Sequence, residues 1–91
     1  MAKVVLYKTQ FCGYCGAALR FLSDVKNQEV EVIDLTGRHA ERMALVQKTR
    51  HRTVPQIFIN DQFIGGYDEL RALDRAGKLD ALLAEDAADP S

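Results

Sequence analysis

Cys12 and Cys15, separated by a glycine and a tyrosine, are the two cysteines of this 91-residue sequence. The apolar run 4–7 comes just before the pair, and the helix-like run 17–22 follows it. The pair therefore lies where a strand gives way to the first turn of a helix. Free backbone N–H groups and the positive end of a helix dipole favour a thiolate there. Since the thiolate is the form that exchanges disulfides, we predict that Cys12, nearer solvent, is the nucleophile and Cys15 the resolving thiol.

Two other interpretations of the cysteine pair are open. Free cysteines are often ordinary core residues, and a Cys-x-x-Cys pair also occurs in zinc sites, which need four ligands. The other candidate ligands, His39, His51 and scattered carboxylates, stand at no ligand-like spacing. The position between a strand and a helix favours redox chemistry. A secreted disulfide framework would use more cysteines at wider spacing, so the pair predicts a reducing, cytoplasmic setting.

Length and charge predict one small domain over residues 1–84, followed by an acidic tail, 85–91, that frays. The formal net charge is −1, which favours neither nucleic acid nor an anionic membrane as a partner. No apolar stretch approaches the roughly 20 residues that span a bilayer. The first residues lack the layout of a signal peptide, so we expect the folded chain to start there.

The hydrophobic pattern predicts alternating strands and helices. The predicted strands are 3–8, 29–35, 56–60 and 62–64, and the predicted helices are 16–26, 38–49, 68–75 and 78–83. The first strand, helix and strand form a βαβ unit, whose two strands should be parallel with a right-handed crossover. A Cys-x-x-Cys pair on such a unit predicts an α/β, thioredoxin-like fold. We expect a four-stranded mixed sheet flanked by three or four helices on both faces.

Apolar residues of these elements are expected to form the core, with Val5, Leu6, Phe21, Leu22, Ile33, Ile57, Phe58 and Ile59 as its members. Tyr7 and Phe11 are expected to pack around the cysteine motif. His39 and His51 are expected to face solvent.

Two further segments have residues suited to binding. Pro55 begins a predicted strand, and the Val54 backbone before it is available to pair with an extended peptide. The alternative is that Pro55 is an ordinary proline of an edge strand or a turn. The Gly65-Gly66 pair leads directly into a helix N-terminus, a ready site for a carboxylate. Asp68 either caps that helix or holds the ammonium group of a ligand.

Together, three segments of the sequence resemble the glutaredoxin family. They are Cys-Gly-Tyr-Cys at 12–15, Arg-Thr-Val-Pro-Gln-Ile-Phe-Ile at 52–59, and Ile-Gly-Gly-Tyr-Asp-Glu-Leu at 64–70. They stand in the order and spacing of the family, and the resemblance runs from Val4 to about Leu83. The sequence looks like a short bacterial dithiol member of class I.

The resemblance implies a glutathione-dependent thiol–disulfide oxidoreductase that acts on glutathionylated and disulfide-containing proteins, as a monomer. It also implies a cis Val54–Pro55 bond. Arg42 matches the position where the family often places a partner for the glycine carboxylate of glutathione, and a bidentate Arg–carboxylate pair suits that role. An ordinary solvated cation is the alternative for Arg42. The residues that the resemblance places at the glutathione groove are Tyr14, Thr53, Val54, Pro55, Gly66, Tyr67 and Asp68.

Two departures from the family pattern keep other functions open. Many members have a lysine where Thr9 stands, and Lys8 lies one position earlier, on the opposite side of an extended segment. Gly13 replaces a common proline, which frees the backbone beside Cys12. Some family members without that proline hold a [2Fe–2S] cluster between two protomers together with glutathione. By that resemblance Cys12 would be the protein ligand, so a dimeric, glutathione-ligated cluster carrier is the alternative. A thioredoxin-like protein served by a flavoprotein reductase is a third interpretation, against which the turn at 65–68 argues.

Overall fold

The computed structural model describes residues 2–85, in which each predicted strand and helix is present. The strands are β1 (Val4–Lys8), β2 (Val30–Asp34), β3 (Gln56–Ile59) and β4 (Gln62–Gly65). The helices are α1 (Gly13–Arg20), α2 (His39–Thr49), α3 (Tyr67–Arg75) and α4 (Leu79–Ala84). No helix within these residues is long and apolar enough to cross a membrane. The predicted tail, apart from Glu85, lies outside the described residues, and the predicted domain bounds stay a prediction.

The four strands form one mixed sheet in the order β2-β1-β3-β4. β1 and β2 are parallel, as the βαβ prediction required, whereas β3 is antiparallel to both β1 and β4. This direction brings the start of β3 beside the end of β1, where Tyr7 pairs with Gln56. The end of β4 lies at the same edge, because Gly65 pairs with Ile57. Three separate loops therefore meet at one edge of the sheet.

The two faces of the sheet are covered by different helices, as predicted. Because side chains alternate along a strand, Val4 and Leu6 of β1 pack towards α1, α3 and α4, while Val5 packs towards Leu45 of α2. β3 divides its side chains between the faces in the same way. The predicted core residues are buried except Ile33, which is half-buried on the edge strand β2.

α1 begins three residues earlier than the predicted helix, because a sulfur atom caps it. Cys12 has an extended backbone, and its Sγ accepts the N–H of Cys15 at 3.2 Å. Apolar spacing does not reveal such a cap. At its other end α1 continues as a π-helical turn, Phe21–Val25, closed by a bond from the Lys26 N–H to the Phe21 carbonyl at 3.1 Å. Asn27, with φ of 57°, ends the segment.

Lys26 joins the end of this π-helical turn to the two C-terminal helices. Its Nζ lies 2.7 Å from Asp74 Oδ1 of α3 and 2.9 Å from Asp80 Oδ1 of α4. The hydrogen bonds that Lys26 donates to these carboxylates, the one to Asp74 first, raise the pKa of its ammonium group above the ordinary value of 10.5. The charged form of Lys26 is therefore favoured by folding.

Lys26→Met should lower the stability of the protein at neutral pH, because both carboxylates lose their shared partner. The raised pKa sets the pH range of the effect. The contribution is fully present below the unfolded pKa near 10.5, and it is lost as pH rises through the higher folded pKa. Urea unfolding of the variant and the parent across this range measures the difference, with the exposed Lys78 changed to Met as control. A stability gap that stayed constant into strong base would contradict the ion-pair origin.

Candidate active site

Cys12 and Cys15 are joined in a disulfide at the junction of β1 and α1, and their Cα atoms are 5.3 Å apart. The two sulfurs differ in access. Cys15 is 1% exposed, whereas Cys12 is half-buried. The prediction that Cys12 is the more accessible thiol is therefore confirmed. A reagent or substrate that approaches the oxidised protein meets the Cys12 sulfur.

The Cys12 sulfur lies between a helix N-terminus and the loop before β3. The N–H of Cys15 points at Sγ from 3.2 Å, and the Val54 carbonyl oxygen lies 3.5 Å from the same atom. The Val54–Pro55 bond is cis, as the resemblance implied. When the disulfide is reduced, the N–H donor and the dipole of α1 stabilise negative charge on Cys12. This arrangement suits a thiolate nucleophile.

Hydrogen bonds connect the loop that carries Cys12 to the loop after β2. The Gln10 N–H donates to Thr36 Oγ1 at 2.7 Å, and the Thr36 N–H donates to Asp34 Oδ1 at 2.9 Å. Hydrogen bonds from Thr36, chiefly from its side chain, lower the pKa of the Asp34 carboxyl below its ordinary value of 3.8. These bonds link the two parallel strands beyond their last ladder bond and restrict how the Cys12 loop moves.

An open groove of about 360 Å³ runs from the Cys12 loop to the start of α3; we call it the Val54 groove. The seven predicted groove residues all line it. Two residues that the sequence did not predict line it as well. The full lining is Tyr14, His51, Thr53, Val54, Pro55, Gly66, Tyr67, Asp68 and Glu69.

The far end of the groove is the N-terminus of α3, which begins at Tyr67. Its first N–H groups have no intrahelical partners and are directed towards an anion-binding position. The Gly66 N–H is already used, because Glu69 Oε1 accepts it at 2.6 Å. Gly65 adopts φ of 122°, and a Cβ there would lie 2.7 Å from Glu69 Cγ. The glycine therefore allows both the backbone turn and the close approach of Glu69.

Two tyrosines form one wall of the groove. The ring of Tyr14, which is 65% exposed, lies against that of Tyr67, with centroids 5.8 Å apart. The Tyr67 hydroxyl accepts a hydrogen bond from Arg71 Nη1 at 2.8 Å. The Arg71 guanidinium in turn stacks on Phe21, 4.6 Å from the ring centroid. The wall is thus connected to the core through α3.

Arg42 lies outside the Val54 groove. It lines a neighbouring cavity together with Thr9 and Phe11, and its Nη2 is 3.5 Å from the Arg52 carbonyl oxygen. Its predicted contact with a glycine carboxylate stays a prediction. Phe11 was expected to pack around the motif, but that expectation is wrong. The residue adopts φ of 59° and is 99% exposed, because the left-handed backbone turns its side chain outwards.

His51 and Glu69 are the groove residues that the sequence did not predict. His51 was expected to face solvent, but it is half-buried and lines the groove. Residues two apart in an extended segment lie on the same side, so the position of His51 two residues before Thr53 was a usable signal. For Glu69 the signal was the spacing from Gly66, since the carboxylate of a Glu at the third helical position can accept the backbone N–H of the N-cap residue.

Comparison with known proteins supports the resemblance seen in the sequence. The family model described as glutaredoxin matches residues 4–64. A glutaredoxin of Pseudomonas aeruginosa is 44% identical over 84 residues, which cover 92% of this chain and 99% of the relative. Glutaredoxin 3 of Escherichia coli K12 is 42% identical over 83 residues, with coverage of 91% and 99%. A buckwheat glutaredoxin, solved as its glutathione complex, superposes with a TM-score of 0.81 at 34% identity, covering 90% of this chain and 76% of the other.

Gly65→Ala should destabilise the protein more than Gly77→Ala, which is the matched control. Both glycines have positive φ, 75° at Gly77 and 122° at Gly65, and an alanine in such a conformation costs about 1–3 kcal/mol for the backbone alone, with the larger cost at Gly65. A Cβ at Gly77 meets nothing within 4 Å, whereas one at Gly65 collides with Glu69. The steric clash between this Cβ and Glu69 adds about 1–3 kcal/mol to the loss of stability in Gly65→Ala. Urea unfolding measures the free energy of unfolding of both variants. Equal losses of stability would show that Glu69 moves aside freely.

Proposed function

The chain belongs to the glutaredoxin family and is a thiol–disulfide oxidoreductase, and we propose that glutathione is its reductant. Protein–glutathione mixed disulfides are its proposed main substrates, and protein disulfides are a second class. One observation carries the proposal. The Cys12 sulfur lies 3.5 Å from the Val54 carbonyl at one end of a groove whose other end is a helix N-terminus.

Each end of the groove suits a different part of glutathione. β3 begins at Gln56, so the Val54 backbone lies outside the sheet and is free to pair with the extended cysteine backbone of the tripeptide. The first N–H groups of α3 suit the γ-glutamyl carboxylate. Asp68, exposed beside them, suits the ammonium group of the same residue. This orientation would direct the glutathione sulfur towards Cys12.

The proposed reaction has two disulfide exchanges. The Cys12 thiolate attacks the glutathione sulfur of a protein–glutathione disulfide, the S–S bond breaks, and the target leaves as a thiolate that takes a proton. Cys12 is then joined to glutathione. The thiolate of a second glutathione attacks the bound glutathione sulfur and releases oxidised glutathione and the Cys12 thiolate. Each turnover therefore consumes one free glutathione: the oxidised glutathione that leaves joins this molecule to the glutathione removed from the target, whose sulfur is reduced to a thiol.

Protein disulfides require the second cysteine. After Cys12 has formed a mixed disulfide with the target, Cys15 attacks the Cys12 sulfur and releases the second target thiol. The product is the Cys12–Cys15 disulfide observed in this structure. The buried position of Cys15 supports its role, because it can reach the Cys12 sulfur while remaining shielded from external disulfides.

The alternative of a dimeric [2Fe–2S] carrier is not favoured. The relatives and the solved structure above are described as glutaredoxins. No step of the proposal involves iron. We propose that the protein acts as a monomer in the reducing cytoplasm, since the proposed groove and both cysteines belong to one chain.

Cys12→Ser and Cys15→Ser should have unequal effects. Cys12→Ser should reduce turnover of a glutathionylated peptide to background, because it removes the nucleophile. Cys15→Ser should keep most of that activity and lose the reduction of protein disulfides. A glutathione-coupled assay run on both variants with both substrates measures this. Loss of both activities in Cys15→Ser would contradict the proposed roles.

Asp68→Asn should raise the KM for glutathione by about tenfold or more, the scale of one hydrogen bond to a charged group. The kcat should change less, because Asp68 is proposed to bind the ligand far from the reacting sulfurs. Asp61→Asn is the matched control, since Asp61 lies in the β3–β4 turn, where it pairs with Lys3. An unchanged KM in Asp68→Asn would remove Asp68 from the binding site.

A further inference from the structure

The His51 side chain occupies the part of the Val54 groove between its two ends. Its Nε2 lies 3.1 Å from the Thr53 hydroxyl oxygen and 3.6 Å from the place that a Cβ on Gly66 would take. The ring packs edge-on against Phe63 of β4, with centroids 5.6 Å apart. Nε2 therefore faces the gap between the loop before β3 and the start of α3.

The backbone around His51 is held by a buried amide. Gln56 is 1% exposed, and its Nε2 donates to the carbonyl of His51 at 2.5 Å and to that of Thr53 at 3.2 Å. Its Oε1 accepts from the Thr49 hydroxyl at 2.9 Å. Thr49 Oγ1 also accepts the N–H of His51 at 3.2 Å. Because a buried amide is costly to leave unpaired, these bonds hold the imidazole at a defined place in the groove.

His51 is also the lining residue that can bring positive charge into the groove. The carboxylates on the lining belong to Asp68 and Glu69 of α3, and Glu69 accepts the Gly66 N–H. β4 presents the uncharged Phe63 to the ring. Arg50 and Arg52 flank His51 in sequence and are exposed, but neither lines the groove.

We propose that His51 is a positioning residue that strengthens glutathione binding when it is protonated. The imidazolium donates from Nε2 to Thr53 Oγ1, which leaves the Thr53 O–H to donate to the γ-glutamyl carboxylate. Its positive charge attracts the same carboxylate and offsets the acidic residues beside it. The inference rests on the proposed function, since it assumes that glutathione occupies the groove. It makes binding tighter as pH falls through the range of about 5 to 8 in which histidines gain charge.

The test measures binding of S-methylglutathione, whose blocked sulfur neither reacts nor titrates. The protein has a Cys12→Ser background, so that no thiolate lies beside the groove. Titrations followed by NMR at about pH 5.5 and about pH 8 bracket the range in which histidine changes charge. With His51 present, binding should be about two- to fivefold tighter at the lower pH, the scale of a solvent-exposed ion pair. The added change His51→Gln should abolish this difference.

His39→Gln is the matched control, because the chain has two histidines and His39 lines the neighbouring cavity instead. This control should keep the pH dependence. If His51→Gln weakened binding of S-methylglutathione equally at both pH values, His51 would have a packing role and the inference would be overturned. A pH dependence that survived in His51→Gln, or that disappeared in His39→Gln, would overturn it as well. Absence of binding at both pH values with His51 present would instead contradict the proposed function. A second titration uses γ-glutamyl-S-methylcysteine, which lacks the glycine of S-methylglutathione and should show the same pH dependence. Loss of the pH dependence with this dipeptide would overturn the assignment to the γ-glutamyl carboxylate.

Discussion

The antiparallel pairing of β1 with β3 is the constraint on which the rest of the site depends. It places the end of one strand beside the start of the other, so that the Cys12 loop and the Val54–Pro55 segment meet although they are 42 residues apart. β4 then ends at the same edge of the sheet, so that the start of α3 also lies there. The hydrogen-bonded pairing of the strands therefore brings together a nucleophile, a free stretch of backbone and a helix N-terminus. None of these contacts requires a long or flexible loop.

The site shares its supports with the core. The Tyr14–Tyr67 wall is connected through Arg71 to Phe21, which is buried under the sheet. The Cys12 loop is fastened to the end of β2 through Thr36. The groove is therefore held by interactions that also contribute to folding. Such preorganisation lowers the entropy that a flexible ligand-binding surface would lose when it becomes ordered.

Much of the fold and the site could be predicted because its determinants are local in sequence. Short apolar runs and apolar–polar alternation located the strands, and the short spacing between Cys12 and Cys15 in the sequence located the reactive pair. The side chains that depend on long-range packing were harder to predict. His51 enters the groove because Gln56 is buried and holds its carbonyl, and Phe11 turns outwards because its backbone is left-handed. Neither buried hydrogen bonds nor a positive φ at a non-glycine residue has a reliable signature in one sequence.

The buried amide of Gln56 links the specificity of this protein to its folding. One fully enclosed polar side chain fixes the carbonyls of both His51 and Thr53, two residues that face the groove. A chain with an insertion or deletion between Thr49 and Gln56 would leave that amide unpaired in the interior, at a cost comparable to a substantial fraction of the stability of a small domain. Evolution and protein engineering can therefore exchange the side chains displayed on this segment far more easily than they can change its length. Substitutions on this segment can therefore change which ligands the groove binds while the shape of the groove stays the same.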